Sequence, residues 1–193
     1  KTYFDVLRLT VDDKYSWDFA MLGVGLRYIN GVGKPDMLHY VESFGMEGHY
    51  DFASNRGYIW SRTFPLLKRA LLLGVGQDNF AYAFPNDDYV GKVNCGFNEQ
   101  IVTKPHNMYL QIWVQDGLPA LLAFLALYLL LFGRTIRKCF KKGKWNHSQK
   151  ISLAFLCGVS GYFVAGLAND SSICVAPVFW VLFGVAFAVL RSE

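Results

Sequence analysis

Acidic residues are almost absent from the last part of this chain. The protein has 193 residues with 15 acidic and 19 basic side chains, but only Asp170 and Glu193 are acidic from residue 117 onward. Cysteine is also scarce: four residues, three of them in or beside apolar runs, exclude a small disulfide-stapled protein. With 53% hydrophobic and 18% charged residues, the composition excludes global disorder.

Three apolar runs without a single charge occupy this acid-poor part of the chain, at Leu118–Gly133, Ile151–Ala168 and Ile173–Leu190. A transmembrane helix needs about 20 apolar residues, with a lower limit near 17, and the runs lie close to that limit. We predict three transmembrane helices, at about 118–133, 151–168 and 173–190. The alternative is three buried helices of a large soluble protein.

A basic segment at residues 134–150 separates the first two runs and contains no acid. Its bases are Arg134, Arg137, Lys138, Lys141, Lys142, Lys144 and Lys150. Since basic residues in short loops stay in the cytoplasm, this loop is predicted to lie inside, as is Arg191–Glu193. Asn169–Ser172 and the residues before the first span then lie outside. Setting the orientation of the helices in the membrane is a sufficient role for these basic residues, so we expect no nucleic-acid partner.

The fold class predicted is mainly α: a fragment of a polytopic membrane protein with a large extracytoplasmic loop region, residues 1–116, before three helices in 117–193. Because the chain starts at Lys1 rather than Met, we expect further N-terminal helices in a longer protein. Within residues 1–116 the pattern first predicts a strand pair or surface helix at Trp17–Ile29, a turn at Gly31–Pro35 and a helix at Leu38–Phe44. A membrane-surface helix is predicted at Tyr58–Leu73, followed by a long loop at 81–104. A last helix is predicted to start at Pro105-His106-Asn107 and to run unbroken into the first span.

Several motifs with known chemistry do not match. Gly74-Val75-Gly76 is not a dinucleotide fingerprint, because Asn79 stands at the third glycine position. No His and Cys pair has zinc spacing. The adjacent acids Asp87 and Asp88 are either a divalent-ion site or a solvated acidic pair, and we expect no metal.

His106 stands out by its position at a helix start, just outside the membrane. The positive end of the helix dipole disfavours an imidazolium there. A neutral imidazole is what a general base requires. The alternative is that His106 simply helps to start the helix, as Pro105 and Asn107 do.

Basic side chains cluster between residues 56 and 69, on the predicted membrane-surface helix: Arg56, Arg62, Lys68 and Arg69. Arginine binds diphosphates in a bidentate manner and stays charged at any working pH. Lipid-linked diphosphates lie at that depth. The alternative is snorkelling of exposed side chains, which we favour for Lys68 and Arg69.

Three segments together resemble the O-antigen ligase and polymerase-like superfamily of bacterial membrane proteins. They are Ser54-Asn55-Arg56-Gly57-Tyr58-Ile59-Trp60, a Gly-x-Gly-x-x-x-Phe turn at Gly74–Phe80, and His106-Asn107 followed by nine residues and Gly117. The motif resemblance covers roughly residues 50–135. One departure is Pro119, directly after Leu118: if the helix restarts there, His106 belongs to a separate short helix.

The resemblance implies a glycosyltransferase that needs no metal or cofactor and uses a polyprenyl-diphosphate-linked glycan as donor, such as one on undecaprenyl diphosphate. The acceptor hydroxyl, of a glycan or a lipid-linked acceptor, would lie outside the bacterial cytoplasmic membrane. His106 would be the general base, Arg56 would bind the diphosphate, and Arg62 and Asn107 are further candidates for substrate binding. Ligase and polymerase are not distinguished.

Two other classes remain open from sequence alone. One is a non-enzymatic membrane protein, such as a polysaccharide transporter or a structural subunit. A transporter should carry ionisable residues within its spans, and the three runs carry none. The other is a glycan-binding module that uses the many aromatic residues of 1–116.

Overall fold

The computed structural model describes residues 4–11, 13, 15–96, 100–140 and 145–191, apart from the side chain of Tyr15. The chain forms two compact units. The first comprises residues 1–62 and 84–102, and the second comprises residues 63–83 and 103–193. The elements, in chain order, are β1 Asp5–Val11, β2 Tyr15–Leu22, β3 Gly25–Ile29, β4 Pro35–Asp36, α1 Phe52–Arg69, α2 Phe80–Ala83, α3 Tyr89–Asn94, α4 Met108–Asp116, α5 Leu118–Cys139, α6 His147–Ala165 and α7 Ala176–Arg191.

The first unit contains a four-stranded antiparallel sheet with the strands in sequence order. Of the two structures predicted for Trp17–Ile29, the strand pair is the one that forms, as β2 and β3. The turn at Gly31–Pro35 is confirmed: Asn30 N donates to Lys34 O at 2.9 Å, and Gly33 N donates to Asn30 O at 2.8 Å. Arg8 and Asp18 face each other across β1 and β2, with 2.7 Å between Nε and Oδ1.

The predicted helix at Leu38–Phe44 is wrong, because that segment forms neither a helix nor a strand. Two of its aromatic side chains are largely exposed, Tyr40 at 88% and Phe44 at 71%. Phe44 N donates instead to Ser61 O of α1 at 2.8 Å. An isolated helix of this length is marginal without tertiary packing, so a backbone contact of this kind decides the conformation.

The helix predicted at Tyr58–Leu73 forms with shifted ends, as Phe52–Arg69. Pro65 lies inside it, and the distorted part is elsewhere, at Ala53, Ser54 and Asn55, whose φ angles are 50°, 59° and 67°. The predicted long loop at 81–104 contains two short helices instead, α2 and α3. Asp88 caps α3 by accepting a hydrogen bond from Gly91 N, which is why an acidic loop segment becomes helical.

The helix predicted to run unbroken from His106 into the first span is interrupted at Gly117. This glycine has φ +92°, which ends α4 at Asp116, and α5 starts at Leu118 with Pro119 in its first turn. A Cβ at Gly117 would overlap the Leu72 carbonyl oxygen. The break lets the backbone of residues 71–76 lie close to the junction between α4 and α5. It also places His106 before a short, separate helix, α4.

The Gly74-Val75-Gly76 turn has a structural role at this break. Val75 N donates to Val114 O at 2.8 Å, and Gly76 N donates to Gln115 O at 2.9 Å. The last carbonyls of a helix have no partner within the helix, so this turn satisfies two of those of α4. A Cβ at Gly74 would overlap the Gln115 carbonyl oxygen, so only glycine fits.

The second unit is built around α5, α6 and α7, which form at the three apolar runs. Stacked aromatic rings fill its core: the ring centroids of Phe124 and Phe163 are 4.7 Å apart, and those of Tyr162 and Phe179 are 4.1 Å apart. Within the described residues, α5 is the one helix long and apolar enough to cross a membrane; α7 is apolar but shorter. The helices are therefore confirmed, and three membrane crossings stay a prediction.

The basic segment is partly helical. Arg137 and Lys138 lie in the last turn of α5, and Lys150 lies in α6. Lys138 is buried, and its Nζ donates to Ser148 Oγ at 2.7 Å and to Val189 O at 3.3 Å. Lys141, Lys142 and Lys144, and Glu193 at the end of the chain, lie outside the described residues.

Replacing Gly74 by alanine should destabilise the protein by at least about 1–2 kcal/mol, since its φ of +66° alone carries that penalty for an L-residue and the Cβ also meets backbone. The control is Gly158→Ala in α6, where an added Cβ meets nothing within 4 Å and helix propensity favours alanine by about 1 kcal/mol. Thermal unfolding in detergent should show a lower Tm for Gly74→Ala and no loss for Gly158→Ala. Equal Tm values would contradict the role assigned to the turn.

Candidate functional site

The start of α4 is held against the turn that follows α6. Met108 N donates to Gly166 O at 2.8 Å, and Asn107 Nδ2 donates to Leu167 O at 2.9 Å. One turn further along α4, Gln111 Oε1 accepts a hydrogen bond from Ser171 N at 2.8 Å. These bonds join segments about 60 residues apart in sequence, and they fix what lies next to His106.

His106 is paired with Asp170. Nδ1 of the imidazole lies 2.8 Å from Oδ2 of the carboxylate, and the side chains are 49% and 10% exposed respectively. A carboxylate on Nδ1 holds the tautomer in which Nδ1 carries the proton, so Nε2 is free to accept one. The same carboxylate stabilises the imidazolium that forms on proton uptake, an arrangement known from general-base histidines.

The second oxygen of Asp170 is also informative. Oδ1 is buried and has no hydrogen-bond partner among the described residues. A buried carboxylate oxygen without a partner carries an unfavourable desolvation energy, and such groups cluster at functional sites. Sequence reasoning assigned no role to Asp170. The available signal was that Asp170 is the only acid between residues 117 and 192, in a segment otherwise free of acidic side chains.

Asn107 serves the geometry of this site. Its Oδ1 accepts hydrogen bonds from Tyr109 N and Leu110 N, both at 3.0 Å, which caps α4, while Nδ2 reaches Leu167. These three hydrogen bonds fix Asn107, and thereby position the neighbouring residue His106, whose φ is +52°. Its predicted contact with substrate stays a prediction.

Two adjoining cavities open in the second unit around these residues. One of about 430 Å³, the histidine cavity, is lined by His106 and Asp170 together with residues 165–166 and 169. The other, of about 550 Å³, is the glutamine cavity, and Gln111 and Gln115 of α4 lie in its wall. Both have Lys104, Met108, Tyr162, Ser171 and Ser172 in their walls. Both volumes fall within the range of small-molecule sites, about 300–1,000 Å³.

Arg62 lies in the first unit, where a buried cluster surrounds it. Its Nε donates to Asp88 Oδ2 at 3.0 Å, and one Nη donates to Ser61 Oγ at 2.9 Å. The guanidinium also lies 4.8 Å from the ring centroid of Tyr50 and 4.5 Å from that of Tyr58. At 9% exposure, Arg62 is largely enclosed by protein groups. Its predicted contact with substrate remains a prediction, and its visible contacts are structural.

Asp88 is the centre of that cluster. Tyr58 Oη donates to its Oδ2 at 2.9 Å, and Gly91 N donates to its Oδ1 at 3.0 Å. Burial, and then the nearby Asp88 carboxylate, raise the pKa of Tyr58 far above its usual value, so Tyr58 remains a donor. Asp87 points elsewhere, with Oδ2 3.3 Å from Nε2 of His39. Among the described residues there is no group of three or more His, Cys, Asp or Glu side chains that could hold a metal ion.

Arg56, also in the first unit, has different surroundings. It follows directly on the three residues with positive φ, and Asn55 anchors that turn by donating from Nδ2 to Cys95 O at 2.8 Å. Arg56 is half-buried, and it forms no hydrogen bond or ion pair through its side chain with the described residues. A guanidinium without a protein partner is free to bind an anion. Lys68 and Arg69 are exposed at the end of α1.

The family model described as O-antigen ligase matches residues 17–125 of this chain, more than half of its length. The chain belongs to the O-antigen ligase family. The family consists of membrane glycosyltransferases that use lipid-linked glycans, and the helix α5 accords with a membrane location. The matched residues include Arg56, the Gly74-Val75-Gly76 turn and His106, while Asp170 lies beyond them. No curated protein and no solved structure matches the chain.

Removing the charge of Asp88 should destabilise the first unit strongly. Breaking one side of a buried ion pair typically costs about 3–5 kcal/mol, because the remaining charge is left without a partner. Asp87→Asn is the matched control, since the neighbouring carboxylate is exposed and exposed pairs are worth about 0–1 kcal/mol. Thermal unfolding or limited proteolysis in detergent should show a clear loss of stability for Asp88→Asn and little or none for Asp87→Asn. Indistinguishable stabilities would remove Asp88 from the centre of the cluster.

Proposed function

We propose that this protein transfers a glycan from a polyprenyl-diphosphate carrier to an acceptor hydroxyl outside the bacterial cytoplasmic membrane. Membership of the O-antigen ligase family supports the reaction class. The observation that carries the proposal is the pair formed by His106 and Asp170, with Nδ1 bound to the carboxylate and Nε2 available at a cavity. Ligation onto a lipid-linked acceptor and polymerisation of repeat units both use this chemistry.

In the proposed step, Nε2 of His106 takes the proton of the acceptor hydroxyl as its oxygen attacks the anomeric carbon of the donor sugar. The bond from that carbon to the diphosphate oxygen breaks, and the electron pair leaves with the diphosphate. Asp170 holds the imidazole in the required tautomer and offsets the charge of the imidazolium. Retention of configuration would need a carboxylate nucleophile that attacks the anomeric carbon. Asp170 is nearly buried and is already bound to His106, so it is not placed to act as that nucleophile. Direct displacement with inversion is therefore the expected course.

Arg56 is assigned to the donor diphosphate. The charge on the leaving oxygen grows during the reaction, and a fixed guanidinium stabilises it. The absence of a described protein partner for Arg56 supports this assignment over Arg62, which is bound to Asp88. The proposed topology has α5, α6 and α7 as spans, with the segment 134–150 in the cytoplasm and His106 on the opposite side.

His106→Ala should lower the transfer rate by about 10²–10⁴-fold, the usual contribution of a general base, while donor binding persists. The measurement is transfer from radiolabelled lipid-linked donor in membranes with matched protein levels. His147→Ala is the control, since His147 is an exposed histidine at the start of α6, and it should leave the rate unchanged. Near-normal transfer by His106→Ala would refute the proposed mechanism.

Arg56→Ala should weaken both donor binding and turnover, with a loss in rate of about 10²–10³-fold as for other groups that stabilise transition-state charge. Donor binding can be followed by crosslinking to a photoreactive polyprenyl diphosphate. Arg69→Ala provides an exposed arginine on the same helix as control. If donor binding and rate are the same in Arg56→Ala and Arg69→Ala, the diphosphate is bound elsewhere.

A further inference from the structure

The glutamine cavity contains polar groups that the fold itself does not use. Gln115 is 3% exposed, and its carboxamide makes no hydrogen bond with any described residue. One helical turn earlier, Gln111 is 7% exposed and uses only its oxygen, which accepts from Ser171 N. A carboxamide offers two donor hydrogens and an acceptor oxygen, and those that the fold leaves unused are available to a molecule in the cavity. These two side chains therefore point to a hydrogen-bonding ligand.

Aromatic side chains also line this cavity. Phe124, Tyr162, Phe179 and Trp180 contribute to it, and Trp180 is 50% exposed. The Trp180 ring is held edge-on by its neighbours, with centroid distances of 5.8 Å to Phe124 and 5.2 Å to Phe179. A cavity lined by both aromatic rings and carboxamides suits a ligand with an apolar face and a polar edge.

The charges of the lining disfavour a diphosphate as the occupant. Asp78 and Asp116 lie in the wall with one cation, Lys104, and Gln77 Nε2 donates to Asp116 Oδ1 at 2.6 Å. An anionic group would meet a net negative lining. A purely apolar lipid chain is disfavoured for a different reason, because it would leave the carboxamides of Gln111 and Gln115 without partners.

We propose that the glutamine cavity binds the sugar ring that carries the acceptor hydroxyl, with Gln115 and Gln111 bound to its hydroxyl groups and Trp180 against its apolar face. This inference rests on the proposed function, since it gives His106 its substrate. The cavity adjoins the histidine cavity through Lys104, Ser171 and Ser172, so a ring held there can present one hydroxyl toward Nε2 of His106. A pyranose has both required surfaces: C–H groups on its faces and hydroxyls at its edge.

The test is steady-state transfer by the full-length protein in detergent, with its lipid-linked donor and the acceptor glycolipid fraction extracted from the same cell envelope. Gln115→Leu should raise the KM for acceptor about five- to tenfold through the lost hydrogen bonds, with kcat and the KM for donor close to normal. Trp180→Ala should raise the same KM about three- to tenfold, and Trp180→Phe should recover most of the loss.

The control is Gln149→Leu, which removes another buried carboxamide of the second unit. Gln149 is fully used by the fold, since its Nε2 donates to Lys138 O and its Oε1 accepts from Asn146 N. Its loss should lower the Tm and leave the KM for acceptor unchanged, which separates damage to the fold from damage to the site.

An unchanged KM for acceptor in Trp180→Ala would overturn the inference, and that variant keeps the test decisive even if Gln115→Leu fails to fold. A rise confined to the KM for donor would overturn it as well, because the cavity would then hold the donor. The proposed function is judged separately: if His106→Ala is inactive while Gln115→Leu and Trp180→Ala behave as wild type, the transferase mechanism stands and only the acceptor site is wrong.

Discussion

The attachment of α4 to the turn after α6 is the interaction on which the candidate site depends. Three hydrogen bonds, from Met108, Asn107 and Ser171, tie the start of the helix to residues 166–171. Gly166 lies close to Met108 at this contact, since a Cβ there would be 2.6 Å from the Met108 terminal methyl group. The consequence is chemical: a histidine from one segment and a carboxylate from another, 64 positions further on, meet at 2.8 Å.

The other end of α4 is fixed just as closely by the glycine turn at 74–76 and the break at Gly117. A short helix held at both ends by backbone contacts cannot shift along its axis, so its side chains keep their register relative to the cavities. Rigid support of this kind is what positions a general base, because misplacement by about 1 Å can cost a large part of the rate. The motifs Gly-x-Gly and His-Asn…Gly thus serve a common purpose, which is the placement of α4.

Much of this arrangement was accessible from the sequence. The lack of charge in three runs predicted the three helices, and the motif spacing predicted the family, because both signals are local. An unbroken helix across Gly117 was the expectation, with a restart at Pro119 as the alternative, because a glycine and a proline are compatible with either a kink or an end; the alternative is what forms. The helix predicted at 38–44 does not form, and the segment is instead bound at Phe44 to the backbone of Ser61, a contact that no periodicity reveals. Asp170 and the partners of Arg62 depend on contacts between distant segments, so residue type alone could not assign them.

The central claim is that His106 and Asp170 act as one unit in accepting the proton of the acceptor hydroxyl. The most direct test is a double-mutant cycle on the transfer rate with His106→Ala, Asp170→Asn and the combination of both. Residues that act as a unit have strongly non-additive effects. The account predicts that adding Asp170→Asn to His106→Ala lowers the rate no further; a double variant whose loss equals the product of the two single losses would contradict it.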